Sequence, residues 1–294
     1  MSDIRIDALL PQEMATKVEY LGVRKAEMPF LKMFMLAVLA GAFISLGAIF
    51  ATTVSAGGIA ITAPGGEAAY TAGLPYGVNR LLVGLVFCLG LILVVVGGAE
   101  LFTGNNLIAM AWASGKVRGR ALLRNWGIVY LGNFVGSIGT VILMFLSRQY
   151  TFGSNSVGMA ALKIGVAKVE FSFLQAVALG ILCNGLVCLA VWLTFSARSA
   201  VDKIAAIIFP ITAFVAAGFE HSIANMYFIP YALFIKNFDP TFTSVVGDKV
   251  AHLDLLTWQS FFVKNLIPVT IGNIIGGAVL VAAVYWIIFL RSEE

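Results

Sequence analysis

The sequence predicts an all-α membrane protein whose six transmembrane helices form two inverted repeats of three, with the second and fifth helices broken. Three observations lead to this fold class: an apolar composition, six long hydrophobic runs, and paired motifs in the two halves. Of the 294 residues, 60% are hydrophobic and 12% are charged, and the mean hydropathy is +0.95. Soluble domains are about 45–50% apolar and about 25% charged, so a lipid bilayer is the expected solvent.

Charge and cysteine content exclude several other classes. The net charge is +4, but the basic residues are scattered between hydrophobic runs rather than clustered on one face, so we expect no nucleic-acid partner. Cys88, Cys183 and Cys188 lie inside apolar runs and are interpreted as small hydrophobic residues. With only two histidines in the chain, the sequence predicts no metal site and no cofactor.

Six hydrophobic runs are long enough to cross a bilayer, which takes about 20 apolar residues. They extend over Phe30–Thr53, Leu81–Ala113, Asn125–Leu146, Phe171–Phe195, Ile204–Phe234 and Leu266–Leu290. The second and fifth runs are too long for one straight helix, and both contain glycine and polar residues near the middle. We therefore predict helix breaks at Glu100–Asn105 and Gly218–Ser222.

Motifs in the first half recur in the second. Glu100 and Asn105 match Glu220 and Asn225; Asn125, Gly132, Asn133 and Gly136 match Asn265, Gly272, Asn273 and Gly276; Phe30, Leu31, Leu36 and Leu39 match Phe173, Leu174, Leu179 and Leu182. Because each repeat holds an odd number of spans, the two copies must have opposite orientations. Inverted repeats with broken helices near the bilayer midplane are typical of a transport path between the halves.

Basic residues predict the orientation. With the N-terminus inside, 12 of the 19 Lys and Arg residues fall on the inner side and 7 on the outer side, so both termini are expected in the cytoplasm. We expect residues 1–29 to form an amphipathic cytoplasmic segment, 30–291 one transmembrane domain with repeats at about 30–146 and 171–290, and 292–294 a short cytoplasmic tail. A solvated lead-in is the alternative for Pro11–Met28.

His221 is the first functional candidate, because an ionisable side chain at mid-membrane is costly, by about 2.5–3.5 kcal/mol or more for a charged residue. The alternative is a structural histidine held by Glu220 or by a backbone carbonyl. Thr103, at the first break, is placed to present a hydroxyl opposite His221. Lys168, before the fourth span, could draw anions into a vestibule, or it could simply extend to the membrane surface.

The other candidates have competing structural interpretations. Glu100 and Glu220 occupy matched positions, and each could accept backbone N–H groups freed by the other break. We expect them to be scaffold carboxylates rather than proton carriers. Asn184 and Asn273 are buried amides that could line a pore or join helices. The paired glycines of spans three and six favour close helix packing. The run Glu220-His221-Ser222 superficially suggests a catalytic triad, but neighbouring residues rarely converge in that way, so we do not expect an enzyme.

Several motifs resemble the formate–nitrite transporter family over about Pro11 to Arg291, and most closely the bacterial formate channels. They are Ala99-Glu100-Leu101-Phe102-Thr103-Gly104, Cys188-Leu189-Ala190-Val191-Trp192, Gly218 to Met226 and Asn265 to Gly277. The resemblance implies an aquaporin-like protomer in a homopentamer of the bacterial inner membrane, with one pore per protomer. We also predict that Gly104, Glu100 and Glu220 are structural residues of the helix breaks.

The same resemblance implies roles in the pore. His221 would be the central histidine near Thr103, with Lys168 in the vestibule and Asn184 and Asn273 along the pore. The outer constriction would be formed by Phe87 and Phe214. The inner constriction would be formed by Leu91, Leu101 and Val187.

The predicted substrate is formate, a small weak monovalent acid, with pH-dependent proton coupling at His221. Nitrite, hydrosulfide and lactate fit the same pore and remain alternatives. A channel for a neutral solute fits the architecture but leaves His221 and Lys168 without a role.

Overall fold

The computed structural model describes residues 8–62 and 68–291. Its α-helices are α1 (Pro11–Ala26), α2 (Phe30–Ser55), α3 (Tyr76–Gly97), α4 (Ala109–Ala113), α5 (Gly119–Leu146), α6 (Ser156–Val169), α7 (Phe173–Thr194), α8 (Ala200–Ala216), α9 (Ser222–Phe238), α10 (Pro240–Val246), α11 (Ile267–Ile274) and α12 (Val284–Phe289). The predicted tail 292–294 and the first seven residues of the predicted N-terminal segment lie outside the described residues.

Most of the described residues are helical, which confirms the predicted α-helical fold. Helices α11 and α12 belong to one continuous terminal helix, Ser260–Phe289, with π-helical stretches at Ser260–Leu266 and Ile275–Ala283. Within the described ranges, five helices are long and apolar enough to cross a membrane: α2, α3, α5, α7 and the terminal helix. The predicted fifth span is instead divided between α8 and α9, with 17 residues each.

Both predicted breaks are present, and each follows a glycine. Helix α3 ends at Gly97 with Gly98 as its C-cap, and α8 is followed by Gly218. Both Gly98 and Gly218 have φ of 78°, a left-handed conformation that residues with a Cβ rarely adopt. After the first break, a 3₁₀ turn at Gly104–Ile108 leads into the short helix α4. After the second break, α9 begins at once with His221 as its N-cap.

Two features lie outside the six predicted spans. An antiparallel hairpin, β1 (Ile59–Thr62) and β2 (Ala68–Ala72), connects α2 to α3, and the sequence analysis did not predict it. Helix α1 corresponds to the predicted amphipathic segment, and its side chains Met14, Ala15 and Val18 are buried against the 3₁₀ turn and α4.

Glycines hold two helix pairs in close contact. A Cβ on Gly132 or Gly136 of α5 would overlap α2, and a Cβ on Gly272 or Gly276 would overlap α7. Small residues at a helix interface allow such close approach. The packing interpretation of the glycine pairs is confirmed, and the two crossings bring α2 and α7 against the broken helices.

Candidate functional site

A cluster of four polar side chains surrounds the first break. The ammonium of Lys25, from the last turn of α1, lies 2.7 Å from Oε1 of Glu100. The other carboxylate oxygen of Glu100 accepts from Nδ2 of Asn105 at 2.7 Å, and the same nitrogen lies 3.0 Å from Oδ1 of Asn125. Nδ2 of Asn125 closes the cycle by donating to the backbone oxygen of Lys25 at 3.0 Å.

The second break carries the same cluster. The ammonium of Lys168, from the last turn of α6, lies 2.8 Å from Oε1 of Glu220. Oε2 of Glu220 accepts from Nδ2 of Asn225 at 2.7 Å, and that nitrogen lies 2.8 Å from Oδ1 of Asn265. Nδ2 of Asn265 donates to the backbone oxygen of Lys168 at 2.7 Å. Each break is therefore a buried, charge-balanced network rather than a loose loop.

A second asparagine on each side fixes the backbone of the break. Asn133 accepts from the Phe102 N–H at 2.9 Å and donates to the carbonyls of Ala37 and Glu100. Asn273 accepts from the Ser222 N–H at 2.9 Å and donates to the carbonyls of Gly180 and Glu220, both at 2.9 Å. These bonds satisfy backbone groups that the interrupted helices leave without partners. Asn273 is fully buried and lines neither of the cavities described below, so here it joins helices.

Lys25 is a site residue that the sequence analysis missed. The signal was available: Phe30 matches Phe173 at an offset of 143 residues, and the same offset places Lys25 opposite Lys168. The sequence predicts this segment as an amphipathic helix or a solvated lead-in, and the motifs matched between the two halves begin only at Phe30.

His221 and Thr103 meet between the two breaks. Nε2 of His221 lies 2.9 Å from Oγ1 of Thr103, and both side chains are buried. Nδ1 of His221 accepts the backbone N–H of Ala224 at 3.1 Å, which caps α9. Because Nδ1 accepts, the proton of the neutral ring is on Nε2, and this N–H donates to the threonine oxygen. The threonine hydroxyl therefore keeps its own proton for another acceptor.

Asn184 braces the residues beside Thr103. Its Nδ2 lies 2.7 Å from the carbonyl oxygen of Asn273, 3.1 Å from Oδ1 of Asn106 and 3.3 Å from the carbonyl oxygen of Thr103. Asn106 in turn donates to the carbonyl of Phe102 at 3.0 Å. The Asn184 amide nitrogen is thus directed at the protein framework, and Asn106 is a further bracing residue that the sequence analysis did not single out.

Glu220, His221 and Ser222 do not form a catalytic relay. The Glu220 carboxylate bonds to Lys168 and to two asparagines, while the His221 ring bonds to Thr103 and Ala224. The Ser222 hydroxyl is buried and has no hydrogen-bond partner within the described part of the chain. No bond therefore joins the serine to the histidine.

Two cavities reach the breaks, one lined by His221 and the other by Gly104, which follows Thr103. The Lys168 cavity, about 360 Å³, is lined by Lys168, Glu220 and His221 and by the aromatic pair Phe87 and Phe214. The Lys25 cavity, about 260 Å³, is lined by Lys25, Glu100, Gly104, Leu91 and Leu101. Each cavity therefore holds one lysine–glutamate pair.

The predicted constriction residues are divided between the two cavities. The rings of Phe87 and Phe214 meet edge to face with centroids 5.8 Å apart, and Phe214 lies 5.9 Å from the His221 ring. Leu91 and Leu101 line the Lys25 cavity. Val187 is buried but lines neither cavity, whereas Val191, one helical turn further along α7, lines the Lys25 cavity.

The five long apolar helices are those of a multi-pass membrane protein, and two cavities reach its buried Glu100 and Glu220. Comparison with known proteins identifies the family within this class. The model of the formate/nitrite transporter family matches residues 12–287, and the chain belongs to that family.

Relatives match over nearly the whole chain. The formate channel FocA of Escherichia coli K12 is 45% identical, with 100% of this chain and 99% of the relative covered. A probable formate transporter of Methanothermobacter thermautotrophicus is 36% identical over 96% of this chain and 97% of its own length. A solved pentameric formate channel with formate bound matches with a TM-score of 0.78 and 46% identity, covering 89% of this chain and 98% of the other.

Proposed function

We propose that this protein is a formate channel that assembles as a homopentamer, with one pore in each protomer. The observation that carries the proposal is the buried His221–Thr103 pair, which links the two breaks. His221 lines the Lys168 cavity, and Thr103 is followed directly by Gly104, which lines the Lys25 cavity. The similarity to FocA and to a pentameric formate channel supports the substrate and the assembly. In this proposal the protein catalyses no reaction.

The proposed membrane arrangement has six crossings in two inverted repeats. The α8–α9 pair makes the fifth crossing, and α3 with the 3₁₀ turn and α4 makes the second. The matching networks around Glu100 and Glu220 support an inverted repeat, because each contains the same residue types and shares the lysine–glutamate, glutamate–asparagine and asparagine–asparagine contacts. We place both termini in the cytoplasm and the protein in the inner membrane of a bacterium, on the basis of the Lys and Arg distribution and the bacterial relatives.

Energetics favour passage of the neutral acid through the narrow part of the pore. A small carboxylic acid titrates near pH 4, so protonating its anion at pH 7 costs about 4 kcal/mol, at 1.36 kcal/mol per pH unit. Moving a bare carboxylate into a dry site has an idealised cost near 20 kcal/mol, and several kcal/mol after relaxation. The rings of Phe87 and Phe214 and the side chains of Leu91 and Leu101 offer the anion no compensating hydrogen bond.

His221 and Thr103 are proposed to bind the substrate at the narrowest point. The neutral ring donates from Nε2 to Oγ1 of Thr103, which leaves the threonine hydroxyl to donate to a formate oxygen. Protonation of the ring at Nδ1 would displace the Ala224 N–H, so this geometry favours a neutral histidine at rest. Proton coupling then requires Nδ1 of His221 to release the Ala224 N–H and take up a proton while the substrate is bound. This step makes the flux dependent on pH.

The test is uptake of labelled formate, nitrite, hydrosulfide and lactate into liposomes that contain the purified protein, over a range of external pH. Formate should be transported fastest, and His221→Ala should alter both the rate and the pH profile. The second histidine, His252, stands before a surface 3₁₀ turn, so His252→Asn is the matched control and should behave like wild type. If formate is no faster than the other anions, or if His221→Ala leaves rate and pH profile unchanged, the proposal is wrong.

A further inference from the structure

Arg80 occupies a position in the Lys168 cavity that neither the motifs nor the paired networks account for. We propose that its guanidinium, rather than the Lys168 ammonium, attracts and first binds the anion on this side of the pore. The inference rests on the proposed function in one respect, namely that a small anion enters the protein through this cavity.

The charge balance of the two cavities points to Arg80. Three charged side chains line the Lys168 cavity, namely Arg80, Lys168 and Glu220. Lys168 and Glu220 pair at 2.8 Å and cancel, while Arg80 forms an ion pair with no carboxylate among the described residues. The cavity therefore carries one uncompensated positive charge, that of Arg80. In the Lys25 cavity, Lys25 and Glu100 pair at 2.7 Å, and no other charged side chain among residues 8–62 and 68–291 lines the wall.

Arg80 is held in place without losing its capacity to bind an anion. Its Nε donates to the carbonyl of Ala216 at 3.1 Å, and Nη2 donates to the carbonyl of Val215. These carbonyls end α8, where the helix dipole favours a positive charge. A guanidinium has five N–H donors, so three remain beyond these two bonds. Arginine presents its donors in a planar fork that fits the two oxygens of a carboxylate.

The position of Arg80 along α3 places it before the aromatic constriction. Tyr76 begins the helix and is exposed, Arg80 is one turn further and half-buried, and Phe87 follows after two more turns. At 1.5 Å per residue, the Cα atoms of Arg80 and Phe87 are about 10 Å apart along the helix axis. An anion bound at Arg80 is therefore held at the entrance, before the site where it must lose its charge.

The repeat provides no equivalent of Arg80 in the other half. Arg80 precedes Glu100 by 20 residues, and the residue 20 positions before Glu220 is Ala200. Each cavity contains one lysine–glutamate pair, and Arg80 adds a cation without a carboxylate partner to the Lys168 cavity. We therefore infer that the apparent affinity for the anion differs between the two directions of transport.

The experiment measures the initial rate of formate uptake into liposomes against formate concentration, at low and high ionic strength. Arg80→Gln should raise the apparent KM about three- to tenfold at low salt, while the maximal rate stays within about twofold, because a local charge concentrates the anion at the entrance. High salt should reduce the difference by screening. Arg80→Lys keeps the charge and should recover most of the apparent affinity.

Two further variants separate charge from structure. Asn79→Asp places a carboxylate beside Arg80 without removing its bonds to α8, and it should raise KM as Arg80→Gln does. Lys163 is exposed on α6 and does not line the cavity, so Lys163→Gln removes an equal charge as the control and should stay within twofold of wild type.

The outcomes distinguish this inference from the proposed function. If wild type carries no formate, the proposed function fails. If wild type carries formate but Arg80→Gln and Asn79→Asp leave KM and its salt dependence unchanged, only the inference about Arg80 is wrong. If Arg80→Gln and Arg80→Lys lose flux and thermal stability together while Asn79→Asp behaves as wild type, Arg80 serves only to cap α8, and the inference is also overturned.

Discussion

Nε2 of His221 lies 2.9 Å from Oγ1 of Thr103, although the two residues are 118 positions apart and come from different breaks. Thr103 follows the break after α3, and His221 caps the helix after the break at Gly218. The pair forms only when the two halves of the protein pack in register. The chemistry proposed for the pore therefore depends on the same contacts that hold the two breaks together.

Removing the threonine hydroxyl tests this pair. In Thr103→Val, the His221 N–H loses its acceptor in a buried site, which costs about 1–3 kcal/mol. We expect formate flux to fall at least tenfold, while Thr103→Ser, which keeps the hydroxyl, retains about half the wild-type rate or more. Uptake by liposomes between pH 5 and 8 measures this. Equal rates for the valine variant and wild type would remove Thr103 from the mechanism.

The asparagines that fix the two breaks should be essential for stability. Asn133→Ala and Asn273→Ala each remove one acceptor and one amide donor group, which leaves one backbone N–H and one carbonyl of the break without the asparagine and removes a tie to α2 or α7. At about 1–3 kcal/mol for each buried group left unpaired, either variant should unfold well below the wild-type temperature. Thermal unfolding of the purified protein in detergent provides the measurement.

Asn237 provides the control for these variants, because it is exposed near the end of α9. Asn237→Ala should change the unfolding temperature by no more than a few degrees. If alanine at positions 133, 273 and 237 lowers the unfolding temperature by similar amounts, the asparagine bonds at the breaks do not contribute specifically to stability.

The two breaks could be predicted because they combine several sequence signals. A hydrophobic run too long for one span, a glycine, and a carboxylate followed five residues later by asparagine occur together at Glu100 and at Glu220. The repeat also predicted which residues correspond, and Lys25 would have followed from extending it upstream by five residues. The internal repeat therefore predicts the two helix breaks and most of the residues that form the networks around them.

The remaining parts of the site depend on three-dimensional neighbours that no local pattern encodes. Arg80 looked like any basic residue at the end of a span, and only the pairing of Lys168 with Glu220 leaves it as the uncompensated charge. Val187 and Val191 are one turn apart in an apolar helix, so sequence could not decide which of them lines the cavity. The His221 tautomer follows from the cap bond to Ala224, which exists only once α9 has formed.

Because α5 packs closely on α2, we expect alanine substitutions at Gly136 and Gly139 of α5 to have different effects on stability. A Cβ on Gly136 would overlap the Val38 carbonyl oxygen and lie 3.0 Å from the Ala42 nitrogen, whereas a Cβ on Gly139 would meet no atom within 4 Å. Gly136→Ala must therefore separate the helices and should cost about 1–3 kcal/mol. Gly139→Ala should change stability by about 0.5 kcal/mol or less. Thermal unfolding compares the two, and equal effects would contradict the packing described here.

Asp239, which caps α10 beyond the end of α9, should make stability depend on pH. Its carboxylate accepts from the Phe242 N–H at 2.9 Å and from the Tyr150 hydroxyl at 2.7 Å, and it faces Arg148 at 3.4 Å. The Phe242 N–H bond is the main cause that lowers the pKa of Asp239 below its usual value, while burial raises the pKa of Tyr150 and keeps its hydroxyl a donor.

A carboxyl with a lowered pKa stabilises the folded state above the pKa of the unfolded chain, near 3.9, and this contribution is lost as pH falls through the lower folded value. Asp239→Asn should therefore be less stable than wild type by a constant amount between about pH 5 and 8, and the difference should shrink below about pH 4. Thermal unfolding of both proteins from pH 3 to 8 measures it, with Tyr150→Phe included to weigh the tyrosine bond. The prediction is wrong if the stability difference between wild type and Asp239→Asn grows as the pH falls. That result would require the pKa of Asp239 to be raised in the folded state, so that the ionised carboxylate destabilises the fold.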